Sequence, residues 1–470
     1  MVDLPRSERH SRASRVGWAV AFSLALGLVS CTHEPSPPPW NVILISIDDL
    51  RSDHLGCYGY HRETSPTIDR LARQGVRFVN AFTAAPWTLP SHMSMLTSLY
   101  PSEHRINPIV SVRREGATLP VLDDAVVTLP EVLKEHGYAT AAFTDGAYVS
   151  GGLGFAQGFD LYFENEVEKD LPPLQEKLFE WLRANREQKF FVFLHTFAVH
   201  LPFTPPAEHL AAVAPEHAEG QLRSFGLFDL VALDRGTRKL TPELLEQIKT
   251  LYDGGIRHAD AFVESLAREL ASLGREADTL IIITSDHGEE FQEHGSFGHG
   301  YTLHDEVLRV PLIFSGAGVV SGRTIHAAAS TVDIMPTVLD LVGIPLGGHE
   351  SGQSLKPALV GDGPSQPESR APGESRVVYA ETAEGGHLLA VMSGDYKAIH
   401  RRDSGSMQLY DLRRDPGETH DLAAEQADVA RTFARLVAEY RDRDALGTVG
   451  EVPIDEALHE KLKALGYVAE

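Results

Sequence analysis

Four separated stretches of this 470-residue chain carry side chains that ligate metals or attack esters. The first is Ile47-Asp48-Asp49, two acids directly behind the apolar run Val42-Ile43-Leu44-Ile45. Adjacent strand residues point to opposite faces, but a turn lets both acids reach one cation. A helix-capping pair is the alternative that these two residues alone leave open. The second stretch, Thr88-Leu89-Pro90-Ser91-His92, precedes the helical pattern of Met95, Leu96 and Leu99. Pro90 suits a first helical turn, where its fixed φ and missing N–H do no harm. Thr88 then stands beside free backbone donors and the positive end of the helix dipole, a place for a tetrahedral anion. Read alone, Thr88 is equally well a simple N-cap.

The third stretch is Ser285-Asp286-His287-Gly288-Glu289, after another apolar run. Asp286 and His287 suit a divalent ion, and Gly288 lets the backbone turn close to it. His294 and the Gly298-His299-Gly300 trio follow, a flexible loop that presents an imidazole. In the fourth, His200 lies beyond the end of a strand and is the better site candidate, whereas His195 fits a satisfied core histidine as well. A hydroxyl, several acids and several imidazoles together point to metal-assisted attack on an ester.

The elements that would carry these groups follow from periodicity. Residues 42–45 read as a buried parallel strand, and further strands are expected at 138–144, 190–197, 279–284 and 310–315. A helix is expected from Ser65-Pro66, capped at Gly75, with others at 241–273 and 331–342. This alternation predicts an α/β fold, a mostly parallel sheet sandwiched by helices, over residues 40–346. Residues 347–375, rich in Gly, Pro, Ser and Glu, read as a linker. Beyond it, short antiparallel strands at 377–381, 388–392, 396–400 and 407–411 and a helix at 423–442 predict a small α+β subdomain over 376–470. Leu458, Leu462 and Leu465 give the tail a helical spacing that docks on the body.

Residues 1–30 read as a targeting segment: Arg6, Arg12 and Arg15 precede an apolar run too short to span a bilayer comfortably. The ending Leu28-Val29-Ser30-Cys31 is similar to a bacterial lipobox, which implies lipidation at Cys31 and a Pro-rich tether over 31–39. The expected location is the bacterial cell envelope, lipid-anchored to a membrane and facing the periplasm or the cell surface. With Cys31 acylated, Cys57 has no partner for an intramolecular disulfide. A formal charge of −24 excludes nucleic acid as a partner and means that an anionic substrate needs local compensation.

Taken in order, Ile45-Ser46-Ile47-Asp48-Asp49-Leu50-Arg51, the Thr88 stretch with Leu96-Thr97, His200-Leu201-Pro202-Phe203, Ser285-Asp286-His287-Gly288-Glu289, Arg309-Val310-Pro311-Leu312 and Asp415-Pro416-Gly417-Glu418 resemble the sulfatase branch of the alkaline phosphatase superfamily. The resemblance implies a hydrolase of an anionic ester and one divalent metal ion (Ca, Mg, Mn or Zn) at Asp48, Asp49, Asp286 and His287, with Thr88 as a further ligand. It implies Thr88, His200 and His299 as catalytic residues, His299 standing where many sulfatases have Lys. Ser91, His92 and His294 would contact the substrate.

One departure bears on the chemistry. The family motif begins with Cys or Ser, oxidised to formylglycine, and continues Pro-Ser-Arg; here the residues are Thr88 and Pro90-Ser91-His92. Thr carries a methyl on Cβ and cannot yield the aldehyde, so no formylglycine is expected. Relatives with a Thr nucleophile include phosphodiesterases and phosphoethanolamine transferases, so a phosphoester is the favoured substrate. Transfer of a phospho-substituent to an envelope glycan or lipid, and a non-catalytic binding lipoprotein, are the alternatives. The insertion at 202–239 is expected to wall the pocket.

Overall fold

Asn41–Ile47 (β1) is buried at every position, and its side chains serve two cores. Val42 and Leu44 enter one and Ile43 and Ile45 the other, the alternation that a strand covered on both faces requires. This computed structural model describes residues 41–107, 117–215, 222–366, 370–383, 387–441, 446 and 448–467. The expected leader, Cys31 and the tether lie outside the described residues.

Beside β1 come, in chain order, Val76–Phe78 (β2), Ala139–Thr144 (β3), Leu161–Glu164 (β4), Phe190–Thr196 (β5), Thr279–Thr284 (β6), Leu312–Gly316 (β7) and Arg323–Ile325 (β8). These eight strands lie in the order β8-β2-β7-β6-β1-β5-β3-β4. The sheet is parallel except at β7, which runs antiparallel to both β2 and β6. The strand expected from 310 begins two residues later. Pro311 has no N–H for the ladder, and the Val310 N–H bonds to Ala81 O instead, at 3.1 Å.

Helices cover both faces. Thr88–Thr97 and Ile334–Leu341 bury Leu89, Met93, Ile334 and Val338 with Val42 and Leu44. On the other face, Pro66–Gln74 (α1) and the 31-residue Pro242–Ser272 pack with Ile43 and Ile45. The two caps expected for α1 are built differently. Ser65 Oγ meets Asp69 Oδ1 at 3.0 Å and accepts from Gly56 N at 3.1 Å, leaving the helix N-terminus to Asp260. The Asp260 carboxylate accepts from Thr67 N at 3.0 Å and Ile68 N at 2.8 Å. Gly75 is not left-handed, and it is required because a Cβ there would lie 2.0 Å from Phe314 O.

Residues 351–355 are tied to the body by Ser351 N to Ser98 O (2.8 Å), Gln353 N to Asp333 Oδ1 (2.9 Å) and Leu355 N to Thr337 Oγ1 (2.8 Å). A four-stranded antiparallel sheet follows: Val377–Thr382, Leu388–Ser393, Tyr396–Arg401 and Met407–Asp411. Ala427–Arg441 packs Phe433, Leu436 and Val437 against Leu389, Val391 and Leu409 of this sheet. That helix starts later than the expected 423. Asp421 Oδ1 accepts from Leu409 N (3.0 Å) and Ala423 N (2.9 Å), holding the preceding turn against the strand. The tail helix Glu456–Ala464 sinks Leu462, with Leu465 just beyond it, into the same core as Val42.

The Asp260 cap makes two measurable statements. Asp260→Ala is expected to lower the unfolding free energy by about 1–2 kcal/mol, the usual loss for a capping acceptor, in urea denaturation. Burial raises the Asp260 carboxyl to about 6, above its unfolded value of roughly 3.9. Its contribution is full below the unfolded value and is lost as pH rises through the folded one. Wild-type stability should therefore fall relative to Asp260→Asn between about pH 4 and pH 7; parallel profiles would count against this.

Candidate metal and nucleophile site

Strand register brings the chemistry to one level. Ser46 pairs with His195 on β5 and with Thr284 on β6, so Asp48-Asp49, His200 and Asp286-His287 emerge together beyond the carboxyl ends of adjacent strands. The turn after β1 is fixed by Tyr252 of the long helix, whose hydroxyl donates to Asp49 O (2.7 Å) and accepts from Arg51 N (2.8 Å). Asp49 takes a left-handed φ of 61°, which Asp tolerates better than most residues. Ser285 Oγ locks the facing turn, donating to His287 O at 2.6 Å and accepting from Leu50 N at 2.9 Å.

Thr88 is the first residue of its helix, not its cap; the extended Trp87 holds the cap position. The Thr88 Oγ1 faces His287 Nε2 at 3.3 Å. One turn on, His92 donates from Nδ1 to Thr88 O (2.9 Å), and its Nε2 meets Ser46 Oγ (2.9 Å). Ser91 Oγ donates to Asp286 O at 2.6 Å. Ser91 and His92 are both fully buried behind Thr88. They brace Thr88 and the turn instead of facing a substrate, because their polar atoms are already spent on the backbone and on the Ser46 and Thr83 hydroxyls.

Asp48, Asp49 and Asp286 are fully buried, yet among the described residues Asp48 Oδ1, both Asp49 oxygens and Asp286 Oδ2 lack a well-aligned hydrogen bond. Asp49 Oδ1 meets the imidazoles of His287 and His299, and Asp286 Oδ2 meets that of His287. Buried carboxylate oxygens of this kind cost several kcal/mol unless a cation meets them, so the donor set fits a divalent ion. Asp48, Asp49 and His287 each aim one ligand atom within 4.8 Å of the others, and so do Asp49, His200 and His299. Burial and the neighbouring Asp286 and Asp49 push the Asp48 carboxyl well up. Burial opposes the charge on Asp49 too, but His299, His200 and His287 hold its carboxyl well below the usual range. His287 is held up to about 10, against burial, by Asp286 and Asp49.

His299 places Nδ1 between Asp49 Oδ1 (3.1 Å) and Glu289 Oε2 (2.9 Å). That pair lifts the imidazole well above its ordinary value despite burial, and burial beside Asp49 pushes Glu289 up to about 7. His200 is driven the other way, to about 3, by burial. Its Nε2 lies 3.7 Å from Asp49 Oδ2, and Lys169 Nζ donates to the His200 carbonyl and to Pro202 O. His195 is no isolated core histidine: its Nε2 meets Asp48 Oδ2 at 3.1 Å. Tyr467, beyond the tail helix, brings its hydroxyl to 2.7 Å from His200 Nε2.

His294, expected on the substrate side, belongs elsewhere. Its ring stacks on His304 at 3.6 Å, its Nε2 lies 3.4 Å from Glu306 Oε2, and His304 Nδ1 lies 3.4 Å from Glu418 Oε2. Glycines at 295 and 298, both with positive φ, turn the loop between His294 and His299 so that the two imidazoles part.

Residues 40–344 match the sulfatase family model, and residues 292–443 match the model for the C-terminal part of N-sulphoglucosamine sulphohydrolase. The chain belongs to the sulfatase family. It is 24% identical over 461 residues to the delta 4,5-hexuronate-2-O-sulfatase of Bacteroides thetaiotaomicron, covering 89% of this chain and 90% of the relative. With human arylsulfatase A it shares 26% over 498 residues, covering 91% and 92%. Among solved structures, BT4656 in complex with its substrate D-glucosamine-2-N,6-O-disulfate superposes with a TM-score of 0.68 at 21% identity, over 87% of this chain and 99% of that one. The phosphonate monoester hydrolase of Agrobacterium radiobacter gives 0.68 at 23%, over 86% and 95%. At these identities the superpositions establish the fold. This sulfatase-family chain is a sulfatase-like ester hydrolase, in a family whose members typically bind a divalent metal.

Sequence reasoning did not find Tyr467, Lys169 or Glu289 in this family member's site. Glu289 stood within a quoted motif and could have been found from its spacing to His299; Lys169 and Tyr467 reach the site only through long-range packing.

The orphaned carboxylates predict metal-linked stability. At a hundredfold excess over the dissociation constant, Mn²⁺ or Zn²⁺ is expected to raise the unfolding free energy of chelator-treated protein by about 2.7 kcal/mol. Asp286→Asn should lose most of that gain, and an equal gain in both proteins would remove these carboxylates as ligands.

Proposed function

We propose that this chain is a metal-dependent hydrolase in which Thr88 Oγ1 is the nucleophile, acting on an anionic ester with phosphorus favoured over sulfur. The observation that carries this reading is the placement of Thr88. Its hydroxyl is fully buried, 3.3 Å from His287, at the start of a helix, and His287 in turn lies 2.9 Å from Asp49 Oδ1 and 3.2 Å from Asp286 Oδ2.

A divalent ion held by Asp48, Asp49, Asp286 and His287 would lower the pKa of the Thr88 hydroxyl and offset charge on the ester. The residue types admit Ca²⁺ or Mg²⁺ through the acids and Mn²⁺ or Zn²⁺ through His287. The chain's own groups then divide the work. Backbone N–H groups at the start of the Thr88 helix face the anionic oxygens. His92 and Ser91 fix the rotation of that first turn. With Nδ1 fixed by Asp49 and Glu289, His299 offers its remaining nitrogen as proton donor to the leaving oxygen, a step worth roughly a hundred- to ten-thousand-fold. His200, neutral and anchored through Nδ1 to Leu201 O, is a hydrogen-bond acceptor in the same space. Water then cleaves the Thr88 ester.

The preference for phosphorus follows from the nucleophile. A formylglycine hydrate expels sulfate by C–O cleavage and regenerates its aldehyde. An ester on Thr88 has no such route, and water must attack the central atom. Sulfatase relatives named for hexuronate and N-acetylglucosamine sulfates, and a phosphonate monoester hydrolase on the same fold, support an anionic ester as substrate class.

A parallel assay of aryl sulfate, phosphomonoester, phosphodiester and phosphonate substrates is expected to give the highest kcat/KM on a phosphorus ester. Thr88→Ala should cut it by roughly a thousandfold or more at saturating metal. Full activity in Thr88→Ala, or preferential turnover of sulfate, would contradict the proposal.

A further inference from the structure

Tyr467 reaches the site from the far end of the chain through a built path. Leu462 and Leu465 anchor the tail helix in the core, and Lys461 Nζ donates to Asn165 O at 2.7 Å. The helix then ends in a Schellman turn. Gly466 is left-handed (φ 85°), and the Tyr467 N–H closes the turn on Leu462 O at 2.9 Å. That turn reverses the chain and aims the phenol inward. Its ring stands edge-on to Tyr148 with centroids 4.7 Å apart.

The hydroxyl stands among the reacting groups. It is 2.7 Å from His200 Nε2 and 3.5 Å from His299 Nε2, and Thr88 is among the groups that act on its acidity. His200 Nδ1 faces Leu201 O, so Nδ1 carries the proton and Nε2 is the acceptor; the Tyr467 O–H donates to it. The phenol is thus a preset donor with a single proton, held by His200 until an anionic acceptor enters.

We propose that Tyr467 is a catalytic residue: its O–H turns from His200 to donate a hydrogen bond to a non-bridging oxygen of the anionic ester under attack by Thr88. This rests on the proposed nucleophile. The site is thereby completed by the C-terminal tail, in a family framework whose supporting Arg is replaced by His92. His92 is fully buried with both ring nitrogens engaged and cannot supply that donor, whereas the Tyr467 hydroxyl meets His200 and His299. Donors aimed at developing anionic charge are worth about a hundred- to a thousandfold in rate.

The test compares wild type, Tyr467→Phe, a chain ending at Gly466, and Thr88→Ala on the best ester, with inorganic phosphate binding measured by calorimetry. Tyr467→Phe is expected to lose about a hundredfold or more in kcat. Its phosphate affinity should fall about tenfold, while bound metal and thermal midpoint stay as in wild type. The chain ending at Gly466 should show the same losses in kcat and phosphate affinity, with a lower thermal midpoint because the Tyr467 N–H no longer closes the helix turn. Unchanged kcat and phosphate affinity in Tyr467→Phe would overturn the inference. Wild-type rates in Thr88→Ala would instead overturn the nucleophile and leave the Tyr467 comparison to be read on its own.

Discussion

Three carboxylates brought to one buried point need a positive partner, and the rest of the molecule is arranged around that need. Asp48 and Asp49 behind β1 and Asp286 behind β6 arrive together because these two adjacent strands end at the same register. Removed from water, they are tolerable only beside cations: His287 and His299 at close range, and a divalent ion that their unpartnered oxygens fit. The proposed chemistry of Thr88 depends on this setting, since a hydroxyl beside such a centre is a stronger nucleophile than one in water. The bracing groups are apolar or already satisfied, which keeps the centre free to answer to its ligand.

Much of this was legible in the sequence because its signals are local. An apolar β-branched run followed by acids marks a strand end, and the runs before Asp48 and Asp286 locate β1 and β6. The Thr88 helix, the long helix from Pro242 and the four C-terminal strands likewise follow from period and caps. What failed was local detail decided at a distance. Ser65 has the type of a cap, but Asp260 on another helix takes the helix N–H groups. His294 and His299 are close in sequence, yet the glycines between them send one to Glu306 and the other to Asp49. Tyr467 had only the spacing of its leucines to announce it; its position depends on where the tail helix docks and on the turn at Gly466.

The family and the nucleophile make separate demands on the site. The fold, the acids and the loop that bears His299 serve any ester whose charge must be screened by a cation. In the proposed reaction the hydroxyl at position 88 decides how the covalent product is released, because a Thr ester lacks the formylglycine route and water must attack its central atom. His92 braces the Thr88 helix through the Thr88 carbonyl, while Tyr467 meets His200 and His299. On the proposed reading, a sulfatase framework carries chemistry suited to phosphorus without moving a strand.

Acid-quenched turnover of a phosphodiester, followed by peptide mass analysis, addresses the covalent role of Thr88 most directly. The account predicts that the peptide containing Thr88 carries the mass of the phosphoryl fragment during turnover, and that Thr88→Ala shows none. A peptide that stays unmodified while product accumulates, or a fragment attached to another residue, would contradict it.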